Sequence, residues 1–390
     1  MKLSLIIPSF YPAVRYGGPI FASLHATEAL AKKGVEVYVS TTDAHAGERL
    51  DVETNRFFKF ERNVFIKYYR ETVIGRFSRS MLFGLKQDIA NVDIVHIQSI
   101  FSAPAPMALF FLSKTNKPAL LSPRGSLCKW CMQIHPLFKK IWLDLLITPY
   151  HRRVVWHATS PQEKEDILTL YPDADVEIIT DGVNTSEFES YNRLSPRQYM
   201  KKFANVDSDP KHIIVSMGRI HEVKGFDILI ESFRLLLEKE PESVLLIAGE
   251  DDGDLSRLQK LVNKCNLDEK VFFTGALSDS DKVDFLANAS LFALASHTEN
   301  FGIVFAESLA AGTPIVASQK TPWSVVETEK CGRWVPNDPN NFYKAMLDTL
   351  QHDREEMRQN AYKLAKNYDW STIADRFVAT FERMLAKRNM

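Results

Sequence analysis

HIIVSMGRI, residues 212–220, is an apolar run of strand length, and it restarts a rhythm that the chain has already completed once. Ahead of it, KLSLIIPSF opens the chain and GPIFASLHATEALAKKG follows as a helical pattern stopped at Gly34. Further strand signals come at DIVHIQS (93–99), PALLSPRG (118–125), RRVVWHATS (152–160) and VEIITDG (176–182). Behind it run a helix over 224–239, the strand SVLLIAGE, a helix over 254–266, the strand KVFFTG, a helix over 279–287, the strand SLFALAS, a helix over 303–311 and the strand TPIVAS. Strands alternating with helices predict mostly parallel sheets covered on both faces. Residues 1–190 and 191–370 are therefore expected to form two α/β domains of nucleotide-binding type, with the linker within 185–210. Residues 371–390 are expected to form a C-terminal helix whose Ile373, Phe377, Ala379, Phe381 and Leu385 let it dock on either domain.

Composition narrows the function classes. A chain of 390 residues exceeds the usual single core. Lys and Arg total 48 against 49 Asp and Glu, which leaves no global field for nucleic acid. Four cysteines are too few for a disulfide scaffold. Cys128 and Cys131 form a CxxC without a second pair, and reduced cytoplasmic thiols are the preferred reading over zinc or redox chemistry. MKLSLIIPSFYP reads as a first strand, and no apolar run reaches membrane-spanning length. A cytoplasmic protein, peripheral on the cytoplasmic face of the membrane, is expected. Locally, residues 56–86 hold Arg56, Lys59, Arg62, Lys67, Arg70, Arg76, Arg79 and Lys86 among many Phe and Tyr. Residues 129–153 add Lys129, Lys139, Lys140, Arg152 and Arg153 among Trp130, Leu137, Phe138, Ile141 and Trp142. Such mixtures suit an anionic lipid surface, and a solvated face over an ordinary core is the alternative.

Three loops carry candidate chemistry. In YPAVRYGGPI, Gly17 and Gly18 lie between the first strand and first helix, where backbone amides can approach an anion. In GRIHEVKGFD, Arg219 follows a strand and Lys224 starts the next helix, so two cations can converge on a phosphate at the sheet edge. In HTENFGIVFAESLAAGTPIVAS (297–318), Gly302 permits a tight turn into a helix stopped by Gly312 and Pro314. The amides of Phe301, Gly302 and Ile303 are expected to point at a phosphate. Glu307 is placed to accept hydrogen bonds from hydroxyls such as those of a ribose, and Glu299 to touch a group beyond the phosphates.

Taken together, the GG loop, GRIHEVKG, LLIAGEDDGD (245–254) and ENFGIVFAESLAAGTPIVAS resemble the retaining glycosyltransferases of the GT-B fold with the Glu-x7-Glu motif, which build bacterial polysaccharides and lipid glycans. The resemblance covers residues 1 to about 385. It implies two Rossmann-like domains facing across a cleft, the N-terminal one for acceptor and the C-terminal one for a nucleotide-diphosphate sugar. It implies catalytic roles for Arg219, Lys224 and Glu299: Arg219 and Lys224 neutralise the diphosphate and Glu299 contacts donor-sugar hydroxyls. Glu307 takes the ribose, Phe301, Gly302 and Ile303 close on the distal phosphate, and Gly17 and Gly18 approach the diphosphate from the other side. No metal and no cofactor are expected, since cations and amides offset the charge as the glycosidic bond breaks with retention.

The chain departs from the family at two places. Arg124 and Gly125 stand where many members have a histidine, so Arg124 contacts either an acceptor phosphate or the donor. The loop usually written PNGVD reads TDGVN at 180–184. His96 is a candidate for lining the acceptor site, with a satisfied core-edge histidine as the alternative. Trp323, in TPWSVVE, is expected to pack. The resulting expectation is a hexosyltransferase using a UDP-sugar and a lipid-linked glycan acceptor in cell-surface polysaccharide or lipopolysaccharide synthesis. A GT-B-fold nucleotide-sugar epimerase and an inactive nucleotide-sugar binding protein are the alternatives.

Overall fold

The computed structural model describes residues 1–72 and 77–388. The chain separates into two compact units, one of Met1–Gly182 with Trp370–Met390 and one of Val183–Asp369.

The first unit contains β1 (Lys2–Ile6), β2 (Glu36–Thr42), β3 (Ala44–His45), β4 (Glu48–Arg49), β5 (Phe58–Glu61), β6 (Val64–Tyr69), β7 (Ile94–Gln98), β8 (Ala119–Ser122), β9 (Val155–Ala158) and β10 (Asp175–Ile178). β3 and β4 pair as a small hairpin, and the others form one sheet in the order β10-β9-β8-β7-β1-β2-β6-β5. Its pairs are parallel except β5 against β6. Helices on both faces demand apolar strands, and every residue of β7 and β8 is buried. The order reverses at β1, which lies between β2 and β7.

The second unit repeats the plan with β11 (His212–Met217), β12 (Ser243–Ala248), β13 (Val271–Gly275), β14 (Leu291–Leu294), β15 (Ile315–Ser318) and β16 (Gly332–Val335). The order is β13-β12-β11-β14-β15-β16, parallel at each pair, with the reversal between β11 and β14. Open α/β sheets bind ligands beyond the carboxyl ends of the strands at such a reversal.

Residues 185–210 differ from the linker expected there. They form part of the second unit, because Ser195 and Gln198 make a capping box for helix Pro196–Phe203. That helix buries Tyr199 and Met200 in the core alongside Phe188. Entry and exit of the second unit run side by side: Val183 N–H donates to Tyr368 O at 2.8 Å and Thr185 Oγ1 to Asp369 Oδ2 at 2.6 Å. The division accordingly falls after Gly182, ahead of residue 190.

The C-terminal helix, Trp370–Arg388, belongs to the first unit. Phe377 packs against His96 and His157, with ring centroids 5.8 and 5.2 Å away. Asp375 pairs with Lys33 at 2.7 Å and Arg383 with Glu177 at 2.6 Å.

Candidate functional site

At the reversal of the second unit, glycines let three loops approach one another. A Cβ on Gly249 would stand 1.8 Å from Gly218 O, and one on Gly225 would stand 2.0 Å from Ala295 O. Gly225 also turns through the left-handed region, φ 63°, to start helix Phe226–Leu237. His297 N–H then donates to Val223 O at 2.8 Å, strapping the loop after β11 to the loop after β14. The consequence is a close pair: Lys224 Nζ lies 2.6 Å from Glu299 Oε1, with side chains 17% and 12% exposed. Ser296 Oγ donates to the same carboxylate oxygen at 2.8 Å. Arg219 is not brought to this pair. Its side chain is 63% exposed and its Nη1 meets Asp252 Oδ2 at 2.5 Å.

Gly302, at φ 81°, is the N-cap of helix Ile303–Ala310. A Cβ there would stand 2.8 Å from a Phe305 ring carbon, so the turn requires glycine. The opening amides of a helix lack intrahelical acceptors, and those of Gly302 and Ile303 occupy that position here. Phe301 is buried, and Trp323 Nε1–H donates to its carbonyl at 2.6 Å while packing against Phe305 and Tyr368. Trp323 therefore packs, as its sequence context suggested.

Glu307 lies on the second turn and has a partner that sequence reasoning missed. Lys282, on helix Asp279–Ala287, places Nζ 2.7 Å from Glu307 Oε1. Burial alone would lower the Lys282 pKa, and the Glu307 carboxylate reverses the direction, so the ammonium is held. In sequence Lys282 is one lysine among Asp279, Asp281 and Asp284, which reads as a local helix pair.

In the first unit, Gly17 (φ 72°) precedes helix Gly18–Lys32, and space is open within 4 Å of where either Cβ would lie. After β8, Arg124 (φ 59°) and Gly125 (φ 75°) are both left-handed. That costs a non-glycine residue about 1–2 kcal/mol. Arg124 is held by Asp181 at 2.7 Å, and Gly125 N–H donates to Glu163 Oε1 at 2.6 Å.

His96 is buried and hydrogen-bonded. Its Nε2 lies 2.7 Å from Ser122 Oγ, which lies 2.7 Å from His157 Nδ1, and His157 Nε2 lies 2.7 Å from Ile179 O. A carbonyl only accepts, so His157 carries its proton on Nε2, Ser122 donates to His157 and His96 donates to Ser122. Burial pushes the His157 pKa down to about 4 and that of His96 well down too.

Among the described residues, no group of three or more His, Cys, Asp or Glu converges as a metal would require. A cavity of about 410 Å³ lined by Leu109, Tyr150, Arg153 and Met384 lies at the opposite end of β8 from Arg124 and takes no part in these sites.

The two basic aromatic stretches diverge. In 56–86, Phe65 stacks on Tyr38, Phe58 on Tyr68, and Lys67 pairs with buried Asp88 at 3.1 Å. Arg76 lies outside the described residues. In 129–153, Leu137 (72% exposed), Phe138 (60%), Ile141 and Leu145 (68%) stand out from consecutive turns beside exposed Lys140, Arg152 and Arg153. Lys139 is taken up locally, donating to Cys131 O at 2.5 Å. Among the described residues, no helix is long and apolar enough to cross a membrane.

Residues 199–367 match the model of group 1 glycosyl transferases and residues 17–187 that of glycosyltransferase family 4. Mannosylfructose-phosphate synthase of Agrobacterium fabrum is 31% identical over 184 residues, 44% of this chain and 40% of that protein. The chain thus spans about two fifths of that relative's length. Phosphatidyl-myo-inositol mannosyltransferase of Mycobacterium tuberculosis is 29% identical over 305 residues, 75% of this chain and 71% of that protein. The crystal structure of Anabaena HepE in complex with UDP aligns over 98% of this chain and 100% of its own, with a TM-score of 0.76 at 17% identity, a likeness of fold alone.

Proposed function

We propose that this chain, whose residues 199–367 match group 1 glycosyl transferases and residues 17–187 glycosyltransferase family 4, is a glycosyltransferase that moves a sugar from a nucleotide-diphosphate donor, UDP-linked, to a lipid-linked glycan in cell-surface polysaccharide synthesis. The single observation that carries this reading is the Lys224–Glu299 pair beside the Gly302 helix start, with Glu307 one turn further on. Lys224 keeps two N–H groups beyond the one facing Glu299, and these bind the diphosphate. Gly302 and Ile303 donate to the distal phosphate, and Glu307 Oε2 accepts from the ribose while Lys282 holds Oε1.

Arg219 joins the diphosphate by leaving Asp252. An exposed ion pair is worth about 0–1 kcal/mol, so the swing costs little. In the transfer step the acceptor hydroxyl attacks the anomeric carbon on the face the diphosphate leaves, and its proton passes to the departing oxygen. Configuration is retained. Fixed cations and amides act where charge develops, and metal is not required. Arg124 and the exposed face at Leu137, Phe138, Ile141 and Leu145 suit an anionic, lipid-anchored acceptor at the membrane surface.

Nucleoside diphosphate release from UDP-, GDP- and ADP-sugars, with and without bacterial glycolipid extract, tests this reading. Release from one donor that requires the extract is expected. Conversion of the donor to an epimer without release of diphosphate contradicts transfer.

A further inference from the structure

Cys128 and Cys131 stand outside the chemistry assigned above. Cys128 is the N-cap of the short helix Lys129–Gln133, and its sulfur accepts the Cys131 amide at 3.4 Å. Both are half-buried, whereas Cys331 is sealed in the core. β8 ends at Ser122 and a single turn leads from it to Cys128.

Geometry favours a bridge here. Residues three apart on a helical turn have Cα atoms about 5 Å apart, inside the roughly 4.4–6.8 Å that a disulfide spans. The Cys131 thiol beside the Cys128 sulfur is the main reason the Cys128 pKa is pushed down to about 6, with the Cys131 amide adding to it. The neighbouring Cys128 sulfur pushes Cys131 up, with burial adding to it, so the two thiols have unequal roles. Lys139, donating to the Cys131 carbonyl, is the neighbouring cation, and Asp166 is the neighbouring acid.

We infer that Cys128 and Cys131 form a reactive dithiol that exchanges with small-molecule disulfides, Cys128 attacking and Cys131 resolving. The Cys128 thiolate attacks one sulfur of RSSR, the S–S bond breaks, and one thiolate leaves with the electron pair. Cys131 then loses its proton, attacks the Cys128 sulfur and expels the second thiolate. Two cysteine thiols become one disulfide, RSSR becomes two RSH, and the two cysteine protons end on the released thiols. Cys128 N–H donates to Gly125 O at 3.2 Å, so the turn joined directly to the pair is the one that carries Arg124.

The test exposes the full-length protein to oxidised glutathione at pH 7 and reads intact mass and peptide maps. Loss of two hydrogens with a Cys128–Cys131 cross-link is expected in the native protein, and Cys131→Ser should instead trap one glutathionyl group on Cys128. Iodoacetamide at pH 6.5 should modify Cys128 at least about ten times faster than Cys265, as a thiolate fraction of roughly three quarters requires. This arm needs no variant. Equal alkylation rates at Cys128 and Cys265, or a native protein that keeps both thiols free in oxidised glutathione, overturn the inference.

Discussion

Lys224 and Glu299 lie 75 residues apart in sequence and 2.6 Å apart in space, at the point where the strand order of the second unit reverses. The pair is mostly shielded from water, so each charge holds the other in one position. Lys224→Ala should lower turnover by about 10²–10³, the range for removing one preorganised donor from a transition state. Thermal unfolding should still be cooperative, with a loss of about 1–3 kcal/mol for the unpaired carboxylate, which keeps Ser296 as a donor. Steady-state kinetics beside calorimetry checks both. Turnover near that of the native protein rules out Lys224 as the diphosphate cation.

Arg219 presents the opposite situation, an exposed cation paired with Asp252. Asp252→Asn should release it and tighten UDP binding by about two- to fivefold, the size of a surface ion pair. Arg219→Ala should weaken binding and remove any effect of Asp252→Asn. Additive effects of the two substitutions in a double-mutant cycle would separate Arg219 from the diphosphate.

Acid should weaken the fold through the His96–Ser122–His157 chain. Both imidazoles are held neutral, with folded pKa values below the ordinary 6.5, and His157 is near 4. Below pH 6.5 the unfolded chain gains protons that the folded chain refuses, so stability is full above 6.5 and falls toward pH 4. Each refused proton contributes a slope of about 1.4 kcal/mol per pH unit. His212, lowered by burial, acts in the same direction, and so does Cys128, held near 6, whose loss runs from about pH 8.5 down through 6. Depressed carboxylates such as Asp284 respond mainly below about pH 4, outside this window. Denaturation at pH 7 and pH 5 should show the loss, and His157→Gln should flatten it. An unchanged slope in that variant shows that the chain is not the cause.

On the membrane side, Leu137→Ser with Phe138→Ser should reduce binding to vesicles containing anionic lipid more than Lys67→Ala does, because Lys67 is paired with Asp88 beneath the surface. Sedimentation with vesicles reads the difference. Equal retention of both variants argues against this face.

Much of the frame was legible in sequence because it rests on local rules. The restart at His212, the turn at Gly302 and the buried strand runs follow from periodicity and backbone freedom. Strand order is not a local property. Only the adjacency of elements distant in sequence brings Lys282 to Glu307, turns Arg219 toward Asp252, and supplies Asp181 to Arg124. The stretch 185–210 misled for a related reason: its strand rhythm ceases, yet Tyr199 and Met200 fill the core from a capped helix. Likewise the aromatics of 56–86 read as surface beside their lysines and arginines, although Phe58 and Phe65 pack along the sheet.

Calorimetric titration of UDP, without added metal, into the native protein, Glu307→Ala and Lys282→Met tests the nucleotide site most directly. Saturable binding to the native protein that weakens about tenfold or more in Glu307→Ala is predicted, from the loss of hydrogen bonds worth about 1.5–3 kcal/mol to a charged acceptor. Lys282→Met should give a smaller loss, since Glu307 survives without its holder. UDP binding of equal strength in all three proteins, with GDP and ADP equally indifferent to the substitutions, would contradict the placement of the donor nucleotide at this edge of the sheet.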